Sequence, residues 1–232
     1  MKKMNKYLQK IILMILCLSI VPSYAHAMSY IQMLCHSPGI ECIRVKPGQT
    51  WHSLWPDEAE RSIIMKINKR NTYLAPGTLV AVPTNLSDPL SQLSPFPLQI
   101  AAPGEKELIF DPRKHAWAAY SEDGQLVRWG PASGGKKYCP DTGERCTTAV
   151  GQFRIFSKGD ADCISHVFPL PDGGAPMPYC MFFNTGMAFH GGPHEVPGYN
   201  ASHGCVRVFV DDARWLSEEF VEIGTKVIIK PY

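Results

Sequence analysis

The residues best equipped for covalent chemistry stand in one short stretch, His190-Gly191-Gly192-Pro193-His194 followed by Ser202-His203-Gly204-Cys205-Val206-Arg207. Cys205 is singled out by subtraction. The chain has eight cysteines, and Cys17 falls in a segment read below as a cleaved export signal. That leaves an odd number, so at least one thiol is unpaired. His203 before it and Arg207 after it favour the thiolate, which is the nucleophilic form of a cysteine. Gly204 lets the backbone turn tightly beneath the thiol and leaves the Gly204 and Cys205 N–H groups to face a developing oxyanion. A separate base is also needed. His190 is the natural candidate, because Gly186-Met187-Ala188-Phe189 reads as a short strand that delivers an imidazole to a loop. The bland alternative is an inert buried thiol, or one that pairs between chains. The glycine, two histidines and arginine around Cys205 weigh against it.

This combination resembles the signature of the YkuD-type L,D-transpeptidases, which cross-link or modify bacterial peptidoglycan. Met177-Pro178-Tyr179 and Gly186-Met187-Ala188-Phe189-His190-Gly191 are similar to the same family's lead-in to its first histidine. The resemblance covers roughly residues 105–230. It implies a cysteine acyltransferase in which Cys205 takes an acyl group from a stem tetrapeptide as a thioester. His190 would then be the proton donor and acceptor, oriented through its other ring nitrogen, and His203 would support geometry and charge. It implies no cofactor. Spacing alone leaves open which histidine is the base. Gly191 and Ser202 join Arg207 and Tyr179 in the expected substrate-binding set. Arg207 has two readings, a fork for a substrate carboxylate or a brace paired with an acid such as Asp211. Tyr179 lines the cleft or belongs to the core.

The acceptor is an amine: a diaminopimelate side chain, a lysine of an outer-membrane protein, or a free amino acid. If water takes its place the enzyme is an L,D-carboxypeptidase or amidase. A zinc-dependent wall peptidase is the rival from another class, since His190-x3-His194 has the spacing of a helical metal pair and His203 could add a third ligand. Gly191-Gly192-Pro193 forbids the helix that would put the pair on one face, so no metal is expected. The third reading is a non-catalytic wall-binding protein.

At the amino terminus, Lys2, Lys3, Lys6 and Lys10 precede an apolar run and Ala25-His26-Ala27 supplies a small-x-small cleavage pattern, so residues 1–27 read as a signal peptide. The run is too short to span a bilayer comfortably, and Ile15-Leu16 before Cys17 disfavours lipid attachment. Removing four lysines and no acids turns a formal charge of +2 into about −2, which gives nucleic acid no electrostatic footprint. The expected location is the periplasm, in association with the cell wall and with no transmembrane span in the mature form. An oxidising compartment also accounts for the cysteines. Proximity pairs Cys35 with Cys42, Cys139 with Cys146 and Cys163 with Cys180, leaving Cys205.

After an N-terminal segment, residues 28–42, residues 43–83 read as strand, helices and strand. Lys46-Pro47-Gly48 makes a turn, Thr50 is a helix N-cap, and Ile63, Ile64 and Ile67 share a helix face. The order resembles a LysM module, which grips the N-acetylglucosamine backbone of peptidoglycan. Trp51 and Trp55 are favoured as core over sugar-stacking residues. The Pro- and Ser-rich residues 84–104 form a linker or wrapping segment. Residues 105–232 then read as short strands at 107–110, 116–120, 126–129, 153–156, 181–183, 187–189, 206–210 and 226–229. One helix lies between the last two of these, at 211–221, with Asp211 as its cap and Ala213, Leu216 and Phe220 on one face. The fold expected is mainly β, a β-sandwich-like catalytic domain with one C-terminal helix behind a small α+β module. Residues 168–178 form a flap over the cleft or a plain surface loop, and Thr147-Thr148-Ala149-Val150-Gly151-Gln152-Phe153 a structural turn.

Overall fold

The computed structural model describes residues 29–86 and 93–232. The expected signal peptide, with Cys17, lies outside the described residues. Helix α1 (Tyr30–Leu34) starts the described chain and is tied by a Cys35–Cys42 disulfide to strand β1 (Ile40–Arg44). Helices α2 (Trp51–Leu54) and α3 (Glu58–Ile67) follow, and β2 (Leu79–Pro83) returns antiparallel to β1. Thr50 caps α2 as expected: its hydroxyl accepts from the Ser53 N–H while Ser53 Oγ accepts from the Thr50 N–H. Ile64 and Ile67 are buried, and so is Trp51, whose indole donates to the Thr72 carbonyl at 2.7 Å and packs 5.7 Å from Trp55. The two tryptophans are thus core, as the sequence suggested.

Nine strands make the rest: β3 (Glu107–Asp111), β4 (Ala116–Tyr120), β5 (Leu126–Ser133), β6 (Gly151–Arg154), β7 (Ser157–Lys158), β8 (Met181–Asn184), β9 (Met187–Gly191), β10 (Val206–Val208) and β11 (Lys226–Ile229). They form one mixed sheet in the order β6-β11-β3-β4-β5-β10-β9-β8-β7. Strands β3, β4 and β5 are the antiparallel meander that their turns announce. The sheet curls until its two ends meet. Phe153 of β6 lies 5.5 Å from Phe183 of β8, and the Phe156 N–H donates to the Phe182 carbonyl at 2.9 Å.

Both faces of the central strands are covered, because side chains alternate along each strand. Leu108, Phe110, Trp117 and Ala119 enter the main core, which Ala213, Leu216 and Phe220 close from the other side. Ile109, Ala116, Ala118, Tyr120 and Trp129 face a second layer with Phe96. That layer is supplied by the Pro-rich segment: the Tyr120 hydroxyl donates to the Pro97 carbonyl, and Leu98 pairs with Leu126 through the backbone.

The C-terminal helix α4 (Val210–Trp215) runs into one π-helical turn, Leu216–Phe220. Its N-cap is Phe209 rather than Asp211, with no side-chain cap. Strand β10 leads almost directly into the helix, so Asp211 falls in the first turn, where an acid suits the helix dipole. Asp212, fully buried, accepts from Arg128 of β5 at 2.7 Å and from Lys66 of α3 at 2.9 Å. The N-terminal unit therefore reaches the interior of the catalytic unit. Among the described residues no helix is long and apolar enough to cross a membrane.

Candidate active site

Strands β9 and β10 run side by side and parallel, with Val206 opposite Phe189 and Arg207 opposite His190. This pairing, between segments separated by a long loop, brings the two halves of the motif together. His190 and Cys205 both open into a cleft of about 470 Å³ that also holds Met187, His203, Glu195 and Arg207. A second wall comes from the segment spanned by the Cys163–Cys180 disulfide, with Val167 and Phe168 facing the cleft. The flap reading of 168–178 is thus the one realised, extended toward Cys163.

The turn beneath the thiol is held by Ser202. Its hydroxyl donates to the Cys205 carbonyl at 2.5 Å and accepts from the Gly204 N–H at 3.1 Å. Gly204 sits at φ +127°, a conformation that side chains rarely adopt, with Met187 at 3.2 Å from where a Cβ would stand. The Gly204 N–H expected to face an oxyanion is therefore engaged within the turn, because a short hydroxyl two residues back reaches it first. Ser202, only 1% exposed, braces this turn.

His190 is buried. Its Nδ1 lies 2.9 Å from the Gly191 carbonyl, and a carbonyl only accepts, so Nδ1 carries the proton and Nε2 keeps its lone pair. Burial pushes the imidazole down to about 4; the Gly191 bond works against this and the Arg207 charge adds to it. Gly191 thus orients His190, and its own N–H donates to Pro178. The Cys205 thiol lies 3.6 Å from the Gly186 carbonyl. Burial pushes its pKa up, outweighing a backbone hydrogen bond and the Arg207 charge, both of which lower it. The sequence expectation of a favoured thiolate is reversed here, because desolvation of the charged form exceeds the help of one cation.

His203 is held from two sides. Asp141 accepts from its Nε2 at 2.7 Å, and Phe168 of the flap stacks on its ring at 4.4 Å. Asp141, on the loop closed by the Cys139–Cys146 disulfide, is a site residue the sequence reading missed. Nothing in its neighbourhood points to a histidine so distant in the chain. The hydrogen bond to His203 holds its carboxyl below the usual range.

Arg207 lines the cleft with its Nε 3.2 Å from a Glu195 carboxylate oxygen, so its neighbouring acid is Glu195 and not Asp211. Asp211 turns to Arg214 instead, since it lies beyond the end of β10 on the helix. Tyr179 packs against the main core and does not line the cleft; its φ of +58° turns the chain there. His194 is exposed, stacks on Tyr73 at 4.8 Å, and shares no face with His190. Among the described residues one cluster has metal-ligand spacing, Cys139, Asp141 and His203. Cys139 is in a disulfide, so its sulfur is no thiolate ligand. Cys205 is the free cysteine among the described residues.

A model of the YkuD family, the L,D-transpeptidase catalytic domain, matches residues 105–229. The chain belongs to this family. Among solved structures, this L,D-transpeptidase is similar to one from Xylanimonas cellulosilytica DSM 15894 (residues 123–326), at 26% identity, with a TM-score of 0.51 over 74% of this chain and 79% of that one. An L,D-transpeptidase from Mycobacterium tuberculosis H37Rv is 25% identical over 54% of this chain and 57% of its own, with a TM-score of 0.44. Among curated proteins none matches.

Proposed function

We propose that this L,D-transpeptidase acts on peptidoglycan stem peptides through a Cys205 thioester. The observation that carries the reading is the parallel β9–β10 pairing, which puts an unpaired thiol and a buried neutral imidazole in one cleft. The Cys205 S–H gives its proton to His190 Nε2 as sulfur attacks the carbonyl before the terminal residue. The Cys205 backbone N–H is assigned to the oxyanion. The C–N bond breaks, the amine leaves with the proton from His190, and a thioester remains. An acceptor amine then gives a proton to Nε2, attacks the thioester and releases the thiol. His203, backed by Asp141, supports the charge that develops at the sulfur, and Arg207 stands beside Glu195 at the cleft edge. The acceptor amine is a diaminopimelate side chain, a protein lysine or a free amino acid.

Three disulfides support an exported, oxidising location, the periplasm, reached through the signal peptide of residues 1–27. The strand-helix-helix-strand order of 43–83 supports a LysM-like module that keeps the enzyme on the wall.

Purified mature protein is to be incubated with disaccharide-tetrapeptides beside Cys205→Ala, and the products weighed by mass spectrometry. Cross-linked dimers lacking one terminal residue, absent with Cys205→Ala, are the expected result. Trimmed monomers alone move the reading to a hydrolase. Products that persist in Cys205→Ala remove the cysteine mechanism. Pelleting the same protein with insoluble peptidoglycan tests the module: protein that stays in the supernatant removes the LysM-like assignment.

A further inference from the structure

The loop that follows His190 is gripped by the N-terminal unit as well as by its own domain. Asn71, beyond the end of α3, meets it four times. Its Nδ2 donates to the Gly192 carbonyl at 2.9 Å and its Oδ1 accepts from the Val196 N–H at 2.8 Å. Its backbone N–H donates to the Val196 carbonyl at 3.0 Å and its carbonyl meets His194 Nδ1 at 3.2 Å. Arg70 adds a bond to the Pro197 carbonyl at 3.0 Å.

The grip matters because of what Gly191 and Gly192 do. One peptide plane carries both the Gly191 carbonyl that accepts the hydrogen bond from His190 Nδ1–H and the Gly192 N–H that donates to Val208 at 2.8 Å. The next plane carries the Gly192 carbonyl held by Asn71. Two glycines in series have the freest backbone of any dipeptide, so sequence alone does not set the orientation of these planes. Within the loop, the Gly192 carbonyl has a longer bond, from the Glu195 N–H at 3.2 Å. For this carbonyl the shorter bond is the one from Asn71, at 2.9 Å, while the plane before it is held by Val208.

We infer that Asn71 is a positioning residue of the active site: by holding the Gly192 carbonyl it keeps the Gly191 carbonyl on His190 Nδ1, and so keeps Nε2 as the free base. The inference rests on the reading of His190 as the base, and it makes the N-terminal unit a working part of the catalytic site.

The test is ¹⁵N NMR of the histidine rings in the full mature chain, which reads the tautomer without any substrate. Wild type is expected to hold His190 as the Nδ1–H form; a dominant Nε2–H form in wild type overturns the inference without any variant. Asn71→Asp keeps an acceptor for Val196 and replaces the donor to Gly192 with a carboxylate oxygen that repels the carbonyl. It and Asn71→Ala are expected to mix the tautomers, and to lower kcat for disaccharide-tetrapeptide consumption roughly tenfold to a hundredfold with KM within about twofold. Tyr73→Ala, which removes the contact with His194 and leaves the Gly192 bond, is expected to keep both the tautomer and the rate. An unchanged tautomer with an unchanged kcat in folded Asn71→Asp overturns the proposal. Tautomer mixing in a protein that turns over no tetrapeptide even as wild type upholds the positioning role and removes the proposed function instead.

Discussion

At the scale of single residues, burial favours the neutral form of both Cys205 and His190. Burial lifts the Cys205 thiol above its ordinary range and lowers His190 to about 4. A preformed thiolate–imidazolium pair would need the opposite order. On the proposed mechanism the Cys205 proton therefore moves to His190 during attack rather than before it. The sequence made the wrong expectation here for a definite reason. It displays the cation two residues away, Arg207, but not the desolvation that outweighs it. The measurement is alkylation of Cys205 by iodoacetamide against pH. Only the thiolate reacts, and burial penalises the thiolate. Labelling should rise with a single inflexion above about 8.5, the value of a free cysteine. An inflexion below neutrality would establish a standing ion pair and remove this account.

At the scale of elements, most strands were legible because their alternation and turns are local: β3, β4 and β11 begin where the pattern put them, and Ala213, Leu216 and Phe220 do share a buried face. What was not legible is pairing between distant segments. Nothing local in Met187-Ala188-Phe189 shows that it lies parallel to β10, though the site depends on it. The same limit hid Asp141. Its loop is closed by Cys139–Cys146 and packs beside the motif, where Gly135 bridges to Ser202 and the Lys136 N–H donates to the Ser202 carbonyl at 3.0 Å. The disulfide restricts a short loop whose task, on this geometry, is to present one carboxylate to His203. Replacing both cysteines with serine should lower kcat roughly a hundredfold, the lower end of what a correctly placed acid–base group contributes. Asp141→Ala alone should give a similar loss, and Asp141→Asn, which still offers an acceptor to Nε2, should recover part of it. Full activity in the double serine variant would show that the loop does not position His203.

At the scale of the whole molecule, the two units share a buried charge. Asp212 of α4 is fully buried, and both of its cations, Lys66 and Arg128, approach Oδ1, while Oδ2 has no hydrogen-bond partner. Arg128 belongs to the catalytic sheet and Lys66 to the N-terminal unit. Removing Lys66 leaves a desolvated carboxylate with one partner, and losing one partner of a buried pair costs on the order of 3 kcal/mol. For a chain of this size that corresponds to a fall in Tm of roughly 6–12 °C. Lys66→Met should show such a fall in calorimetry, and adding Asp212→Asn should recover part of it by removing the charge that Lys66 had neutralised. Because this penalty falls on the catalytic unit when the N-terminal unit departs, wild type should unfold in one transition that includes both. Two separate transitions, or a Lys66→Met variant as stable as wild type, would mean that Arg128 alone satisfies Asp212. The N-terminal unit would then contribute no stability through this charge, and its hold on the His190 loop would have to rest on the Asn71 and Arg70 contacts.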